Sequence, residues 1–320
     1  MELIRGLHHL RDRHRGCVLS IGNYDGFHRG HQALVARLNE RSRAAGVPAV
    51  VQIFEPTPRE FFAPGEAPGR VSTFRDKLAQ LEAAGVDRVL CVRFDRKFSS
   101  IEAGSYVDDV LVGQLGIKAI VVGEDFRFGA GRKGDVALLK RRGTAAGFKV
   151  DAVAPVLVDG QRASSTAVRE ALALPDFERA QCMLGRPYEL RGRVRGGLKL
   201  GRTLAMPTAN IPLRHRPAIR YGIYAVRCRI GDVGAALGRE RQWNGVANIG
   251  IRPTLASRAP SRPLLLEAHL FGDVGSIYGE VLRVEFVKYL RPEAKFDSMD
   301  ALAKQMQDDK AQAMALLQRA

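Results

Sequence analysis

Short apolar runs alternate with amphipathic segments through the first half of this chain and then stop near Pro187, which constrains the fold more than any other feature. The runs are Cys17–Ile21, Ala49–Phe54, Val89–Phe94, Ala119–Val122 and Val150–Ala154. Helical patterns lie between them. Gln32–Ala45 carries Leu34, Val35 and Leu38 on one stripe against Arg37 and Arg41, and Thr73–Ala84, Ser105–Leu115 and Asp135–Ala146 follow the same rule. Such alternation predicts a doubly wound α/β domain, a mostly parallel sheet with helices on both faces. Ligands of these sheets bind beyond the carboxyl ends of the strands, near the point where strand order reverses. The loops after Ile21, Phe54 and Val122 therefore surround a candidate site.

After Leu184-Gly185-Arg186-Pro187 the helical pattern gives way to β-rich runs: Tyr188–Val194, Gly222–Ile230, Gly245–Ile249, Leu264–Phe271 and Val281–Tyr289. Glycines punctuate them, which predicts a small antiparallel β-barrel. The tail from Ser298 reads as a C-terminal helix, with Met299, Leu302, Met306, Met314 and Leu317 expected to pack on the barrel. The length of 320 residues suits two domains, 1–185 and 186–320.

Composition narrows the class. No apolar run approaches the ~18 residues of a membrane span, and Met1–Arg15 is too charged for a secretory signal; the expected compartment is the cytoplasm, with no membrane partner. The four cysteines, Cys17, Cys91, Cys182 and Cys228, have no CxxC spacing, which argues against a disulfide framework or a zinc site. A formal charge of +16 suits a nucleic acid backbone, steering of small polyphosphates, or merely solvated arginines. Zinc-finger spacing, an aromatic RNP-like strand and a concentrated Lys/Arg run are all missing. A basic nucleic-acid-binding protein is thus a remote alternative.

The most informative segment is Gly22-Asn23-Tyr24-Asp25-Gly26-Phe27-His28-Arg29-Gly30-His31, which follows a strand and opens a helix. Glycines let the backbone approach a phosphate, and a helix N-terminus adds positive potential. His28 and His31 can each donate a hydrogen bond to phosphate oxygens whose charge grows during transfer. The segment is neither a Walker loop nor a dinucleotide fingerprint. In Ser164-Ser165-Thr166-Ala167-Val168-Arg169-Glu170, hydroxyls and Arg169 can hold a triphosphate, although an ordinary helix cap reads the same way. Asp125, Phe126 and Phe128 leave a buried strand at the expected crevice; the aromatics suit either a planar ligand or a core.

The second half offers Gly192–Arg202, where Gly196, Gly201, Lys199 and Arg202 make a phosphate-covering loop. Met206-Pro207-Thr208-Ala209-Asn210 follows, and the Thr208 and Asn210 oxygens can complete Mg²⁺ coordination beside a nucleotide, or simply form a turn. Glu267 lies within the apolar run Leu264–Phe271. A carboxylate there is either a base for a hydroxyl proton or an edge-strand residue facing solvent or paired with an arginine.

The motifs GNYDGFHRGH, FEPTPREFF, VVGEDFRFGAGRKGD and SSTAVRE, in that order, resemble the N-terminal module of prokaryotic bifunctional riboflavin kinase/FAD synthetases, a Rossmann-like nucleotidylyltransferase. GRVRGGLKLGRTLAMPTANI, YGIYAV, NGVANIGIRPT, LLLEAHLFG, Lys288-Tyr289-Leu290-Arg291 and KFDS are similar to the riboflavin kinase module. The resemblance implies ATP, riboflavin, FMN and FAD as ligands, Mg²⁺ with ATP, and a monomer or weak homo-oligomer. It places His28, His31, Gly22, Asn23, Asp25, Gly26, Ser164, Ser165, Thr166 and Arg169 at the nucleotide of the adenylyltransferase, with Phe62, Tyr106, Asp125 and Phe128 on the flavin side. In the kinase it places Thr208 and Asn210 on the metal, Glu267 as base, and Arg291 and Phe296 at the flavin. The implied chemistry is direct attack of an FMN phosphate oxygen on the α-phosphorus of ATP. Three positions depart from the family. Thr57 stands where a histidine is usual, and Ala205 and Met206 replace a glycine and an aromatic before PTAN. An adenylyltransferase with an impaired kinase half is therefore the nearer alternative.

Overall fold

The computed structural model describes residues 1–196, 208–231, 241–251 and 264–318. Two compact units emerge, one formed by Met1–Pro68 with Phe74–Ser165 and the other by Gly69–Thr73 with the chain from Thr166 onward.

In the first unit, β1 (Glu2–Arg5), β2 (Val18–Ile21), β3 (Ala49–Phe54), β4 (Arg88–Val92), β5 (Ala119–Gly123) and β6 (Lys149–Val153) form a six-stranded sheet in the order β1-β4-β3-β2-β5-β6. Every neighbouring pair is parallel. Successive residues of the strands feed opposite faces, as the pleat demands. Leu19, Val50 and Ile120 enter one core, while Val18, Val51 and Val121 enter the other. Two buried faces explain why these strands read as continuous apolar runs. The sheet grows outward from β2 through β3 and β4, then returns to place β5 on the other side of β2. That reversal puts the crevice beyond Ile21 and Gly123.

Helices α1 (Arg29–Ala45), α2 (Pro58–Phe62), α3 (Phe74–Ala83), α4 (Arg96–Ser99), α5 (Ala103–Ser105), a π-helix over Tyr106–Gln114, and α6 (Val136–Ala146) connect the strands. Val35 and Leu38 of α1 are buried, as the stripe required, and the helix ends on Gly46 in the left-handed conformation. Thr57 caps α2 reciprocally, its hydroxyl accepting from Glu60 N at 3.4 Å while Glu60 accepts from Thr57 N at 2.8 Å. A two-strand hairpin, β7 (Leu157–Val158) and β8 (Gln161–Arg162), precedes α7 (Ser165–Ala173).

Helix α8 (Phe177–Leu184) packs with the second unit: Phe177 stacks on Phe286 at 6.2 Å and meets Tyr224 edge-on at 5.9 Å. This compact unit accordingly begins before Gly185, where the helical pattern ends in sequence. Its sheet comprises β9 (Glu189–Arg193), β10 (Thr208–Leu213), β11 (Gly222–Ile230), β12 (Arg241–Ile251), β13 (Leu264–Leu270) and β14 (Val281–Arg291), six antiparallel strands in the order β10-β13-β12-β11-β14-β9. The outer strands meet where Arg195 N donates to the Asn210 carbonyl at 2.8 Å, so the sheet curls toward a closed barrel. Thr208–Leu213 thus forms a strand where sequence alone also admits a turn, and Pro212 is tolerated because β10 has a sheet neighbour on one side.

Helix α9 (Met299–Leu317) is capped by Ser298, which accepts from Ala301 N at 3.1 Å. Two of its expected contacts are corrected by the structure: Met299 and Met314 are exposed, and the inward stripe runs through Leu302, Met306, Asp309, Ala313 and Leu317. Spacings of three and four residues select that stripe, and both methionines fall off it. Asp309 is buried and receives Arg291 through Nε at 2.8 Å and Nη2 at 2.6 Å, with Gln305 at 3.0 Å. Removing one partner of a buried pair strands the other charge, at a cost of about 3–5 kcal/mol. Asp309→Ala should accordingly lower the urea midpoint of the second unit, followed by Trp243 fluorescence; an unchanged midpoint would show that the pair is dispensable.

Candidate active sites

The turn between β2 and α1 is held from below. Tyr24 is fully buried with a positive φ of 49°, and its hydroxyl lies 2.6 Å from Ser20 Oγ, which in turn donates to the Val121 carbonyl at 2.6 Å. Burial pushes the Tyr24 phenol well above its ordinary range, outweighing the Ser20 hydrogen bond, so it stays a neutral donor. Gln32 Nε2 donates to the Phe27 carbonyl at 3.0 Å, and Ser165 Oγ to the Asp25 carbonyl at 2.9 Å. This scaffold fixes His28 at the N-cap of α1 and His31 in its first turn, their rings stacked at 3.7 Å. Gly30 sits tightly between them: a Cβ there would lie 3.1 Å from both the Ala163 carbonyl and the His28 ring, so a side chain would make its neighbours give by a few tenths of an ångström.

Gly22, His28, His31 and Ser164 line one cavity of about 210 Å³ with Gly123, Asp125 and Arg162. Asp25 and Gly26 lie in the turn, Asp25 buried and Gly26 at φ 81°, while Asn23 is exposed outside the cavity lining. Thr166 and Arg169 fall in the second compact unit, where Arg169 Nε donates to the Gly69 carbonyl at 2.9 Å.

A larger cavity of about 680 Å³ lies on the other side of Ile21 and Phe126, both of which line the two cavities. Phe54, Phe62, Phe94, Phe98, Tyr106 and Phe128 make its walls. Successive rings meet edge-on or tilted, from Phe62–Phe94 at 5.7 Å to Tyr106–Phe128 at 5.9 Å, and Phe126 stacks on Phe128 at 5.6 Å. Phe62 stays 67 % exposed at the rim, placed there by α2. Tyr106 donates to buried Gln52 Oε1 at 2.9 Å, and burial raises its pKa, so a neutral phenol directs its ring at the cavity. Expected flavin residues Phe62, Tyr106 and Phe128 come together here. Asp125 does not: the structure places it in the histidine cavity, ion-paired with Arg162 at 2.7 Å. Sequence reading missed Phe54, Phe94, Phe98 and Arg162. Only proximity in the fold links them, although FEPTPREFF and RFDRKF both show aromatics in loops at carboxyl strand ends.

In the second unit, strand register aligns Asn210, Glu267 and Asn248 side by side on β10, β13 and β12. Residues directly opposite share one face of a sheet. Glu267 lies on an interior strand of the sheet, half-buried, so the edge-strand reading is excluded. Asn210 is buried; its Nδ2 donates to the Thr208 carbonyl at 3.2 Å, and its Oδ1 has no hydrogen-bond partner among the described residues. Thr208 also lines a cavity of about 240 Å³ with Val194, Leu270 and Tyr278. Arg291 sits with its guanidinium 5.8 Å from the Phe296 ring centre while Asp309 holds it. Gly196 is exposed three residues beyond β9; Lys199, Gly201 and Arg202 lie outside the described residues, as do Ala205 and Met206.

One unit has a parallel sheet with a histidine pair opening its first long helix, the architecture of a nucleotidylyltransferase-like domain, and the other is an antiparallel near-barrel carrying a polar row. Comparison with known proteins gives the family. The FAD synthetase family model matches residues 10–167, and the riboflavin kinase model matches 184–317. Bifunctional riboflavin kinase/FMN adenylyltransferase from Pseudomonas fluorescens is 47% identical over 316 residues, covering 99% of this chain and 98% of that protein. Its counterpart in Escherichia coli (strain K12) is 45% identical, covering 97% and 96%. A crystal structure described as a macrolide-efflux protein from Streptococcus pneumoniae superposes with a TM-score of 0.78 at 27% identity, over 97% and 98% of the two chains. Among the described residues no helix is long and apolar enough to cross a membrane. The chain belongs to the bifunctional riboflavin kinase/FMN adenylyltransferase family.

Proposed function

We propose that residues 186–320 transfer the γ-phosphoryl group of ATP to riboflavin and that residues 1–185 transfer the AMP moiety of a second ATP to the resulting FMN, giving FAD and pyrophosphate. The observation that carries this reading is the wall shared by two cavities: Ile21 and Phe126 separate an aromatic cavity large enough for a flavin ring from one lined by His28 and His31. A flavin stacked among Phe62, Tyr106 and Phe128 would present its phosphate toward the nucleotide across that wall. Alignment of the two reactants is then the main catalytic device, since no protein nucleophile is needed. An FMN phosphate oxygen forms a bond to the α-phosphorus as the bond to pyrophosphate breaks. His28 and His31 donate hydrogen bonds to phosphate oxygens, and Gly22, Asp25, Gly26, Ser164 and Ser165 shape the cradle. Asn23, Thr166 and Arg169 are assigned to the same nucleotide by family resemblance. Asp125, paired with Arg162, is better assigned to the nucleotide side than to the flavin ring.

In the kinase, Glu267 accepts the proton of the riboflavin hydroxyl as its oxygen attacks the γ-phosphorus and ADP leaves. Enzymes of this type use ATP with a divalent cation. The residues present fit Mg²⁺, because Asn210 Oδ1 is a buried hard oxygen lacking a partner among the described residues. Asn210 and Thr208 would hold the ion, which when bound neutralises developing phosphate charge. Arg291 and Phe296 receive the flavin ring, and Gly196, Lys199, Gly201 and Arg202 cover the phosphates. A monomeric or weakly associating cytoplasmic enzyme completes the proposal.

Incubating the purified chain with riboflavin, ATP and Mg²⁺ should yield FMN and then FAD. FAD formed only from added FMN would mean an impaired kinase half; neither product would overturn the reading.

A further inference from the structure

We infer that Asn248 is a substrate-reading residue of the kinase, accepting a hydrogen bond from a hydroxyl of the flavin's polyol side chain beside the one that is phosphorylated. The inference rests on the assignment of Glu267 as the base. Asn248 stands opposite Glu267 on β12, as Asn210 does on β10, so the carboxylate has an amide on each side. The two amides share a feature: each Oδ1 is buried and has no hydrogen-bond partner among the described residues. A buried acceptor left unpaired costs about 1–3 kcal/mol, and two such groups flanking one carboxylate point to ligand atoms that complete them.

They do not complete the same ligand atom. Opposed positions lie about 5 Å apart between Cβ atoms, so Asn210 and Asn248 are separated by about 10 Å with Glu267 between them. A cation bound to Asn210 at ~2.1 Å leaves Asn248 beyond its coordination shell. Asn210 adjoins Thr208 and the nucleotide side; Asn248 lies on the other side of the base, where the acceptor alcohol must enter. The same transverse row continues through Ile223 to Arg291, the residue assigned to the flavin ring. Four strand spacings of about 4.8 Å separate Asn210 from Arg291. The row thus runs in the order nucleotide, base, polyol, ring.

The amide orientation agrees with an acceptor role. Asn248 Nδ2 donates to Glu293 Oε1 at 3.0 Å, and Glu293 occupies the space over Gly250 that any side chain there would fill. With its donor end engaged by a carboxylate, Asn248 offers Oδ1, which matches an alcohol donor and rejects a phosphate oxygen.

The test is Asn248→Leu in the full chain, which keeps the side-chain volume and deletes the acceptor. KM for riboflavin should rise about tenfold, equal to about 1.4 kcal/mol. KM for ATP, the inhibition constant of lumiflavin (which has the ring and no polyol) against the kinase, and FAD formation from FMN should stay unchanged. A parallel rise for lumiflavin would show an effect on the ring site or the fold, a rise for ATP alone would move Asn248 to the nucleotide side, and an unchanged riboflavin KM would remove its role; each overturns the inference. Glu267→Gln measured alongside separates the two readings. Full turnover in that variant would sink the base assignment, whatever Asn248→Leu does.

Discussion

Replacing Glu267 by Gln should lower phosphorylation of riboflavin by about 10²–10⁴-fold, the usual worth of a positioned general base. The substitution keeps shape and hydrogen-bonding reach but removes the capacity to take a proton. FAD formation from supplied FMN should continue at the unaltered rate, because the proposed adenylyl-transfer cradle is built from residues of the first unit. Initial rates of FMN and FAD formation, resolved by chromatography, provide both readouts from one preparation. Loss of both activities would indicate misfolding, and loss of neither would leave Glu267 a structural carboxylate.

The complementary result is expected at the histidine corner. His28→Ala should reduce FAD formation by about 10²–10³-fold, the cost of losing one donor to a developing phosphate charge, with FMN production retained. His28 is buried against His31 and Gly30, so part of any loss could reflect a collapsed corner. His28→Asn separates the causes, since an amide retains a donor. Recovery of at least tenfold relative to Ala would assign the loss to the missing hydrogen bond; equal loss in both variants would assign it to packing.

The alternating runs made the sheet legible because each strand is buried on both faces, leaving a continuous apolar signal. Strand β1 escaped notice for the opposite reason. Glu2–Arg5 is short and flanked by charge, and only pairing with β4 makes it a strand. The tail's helix was readable, its buried stripe less so, because methionines and leucines scatter around it and Asp309 takes a core position by pairing with Arg291. The histidine corner announced itself through glycine and histidine spacing. The aromatic cavity did not, since its rings come from separate loops and only the strand order gathers them. Asp125 illustrates the limit: adjacency to Phe126 in sequence says nothing about which of two neighbouring cavities its carboxylate enters.

Asn210 has two attachments, and their combination has a mechanical consequence. Its carbonyl fastens Arg195 across the seam where the curled sheet meets itself, while its side-chain Oδ1 is buried without a hydrogen-bond partner among the described residues. A ligand that tugs on this amide therefore pulls on the fastening as well as on the neighbouring strand β13. The residue at the join of the cylinder is thus also the one whose buried amide oxygen awaits a partner, so the seam and that open valence share a single position on β10.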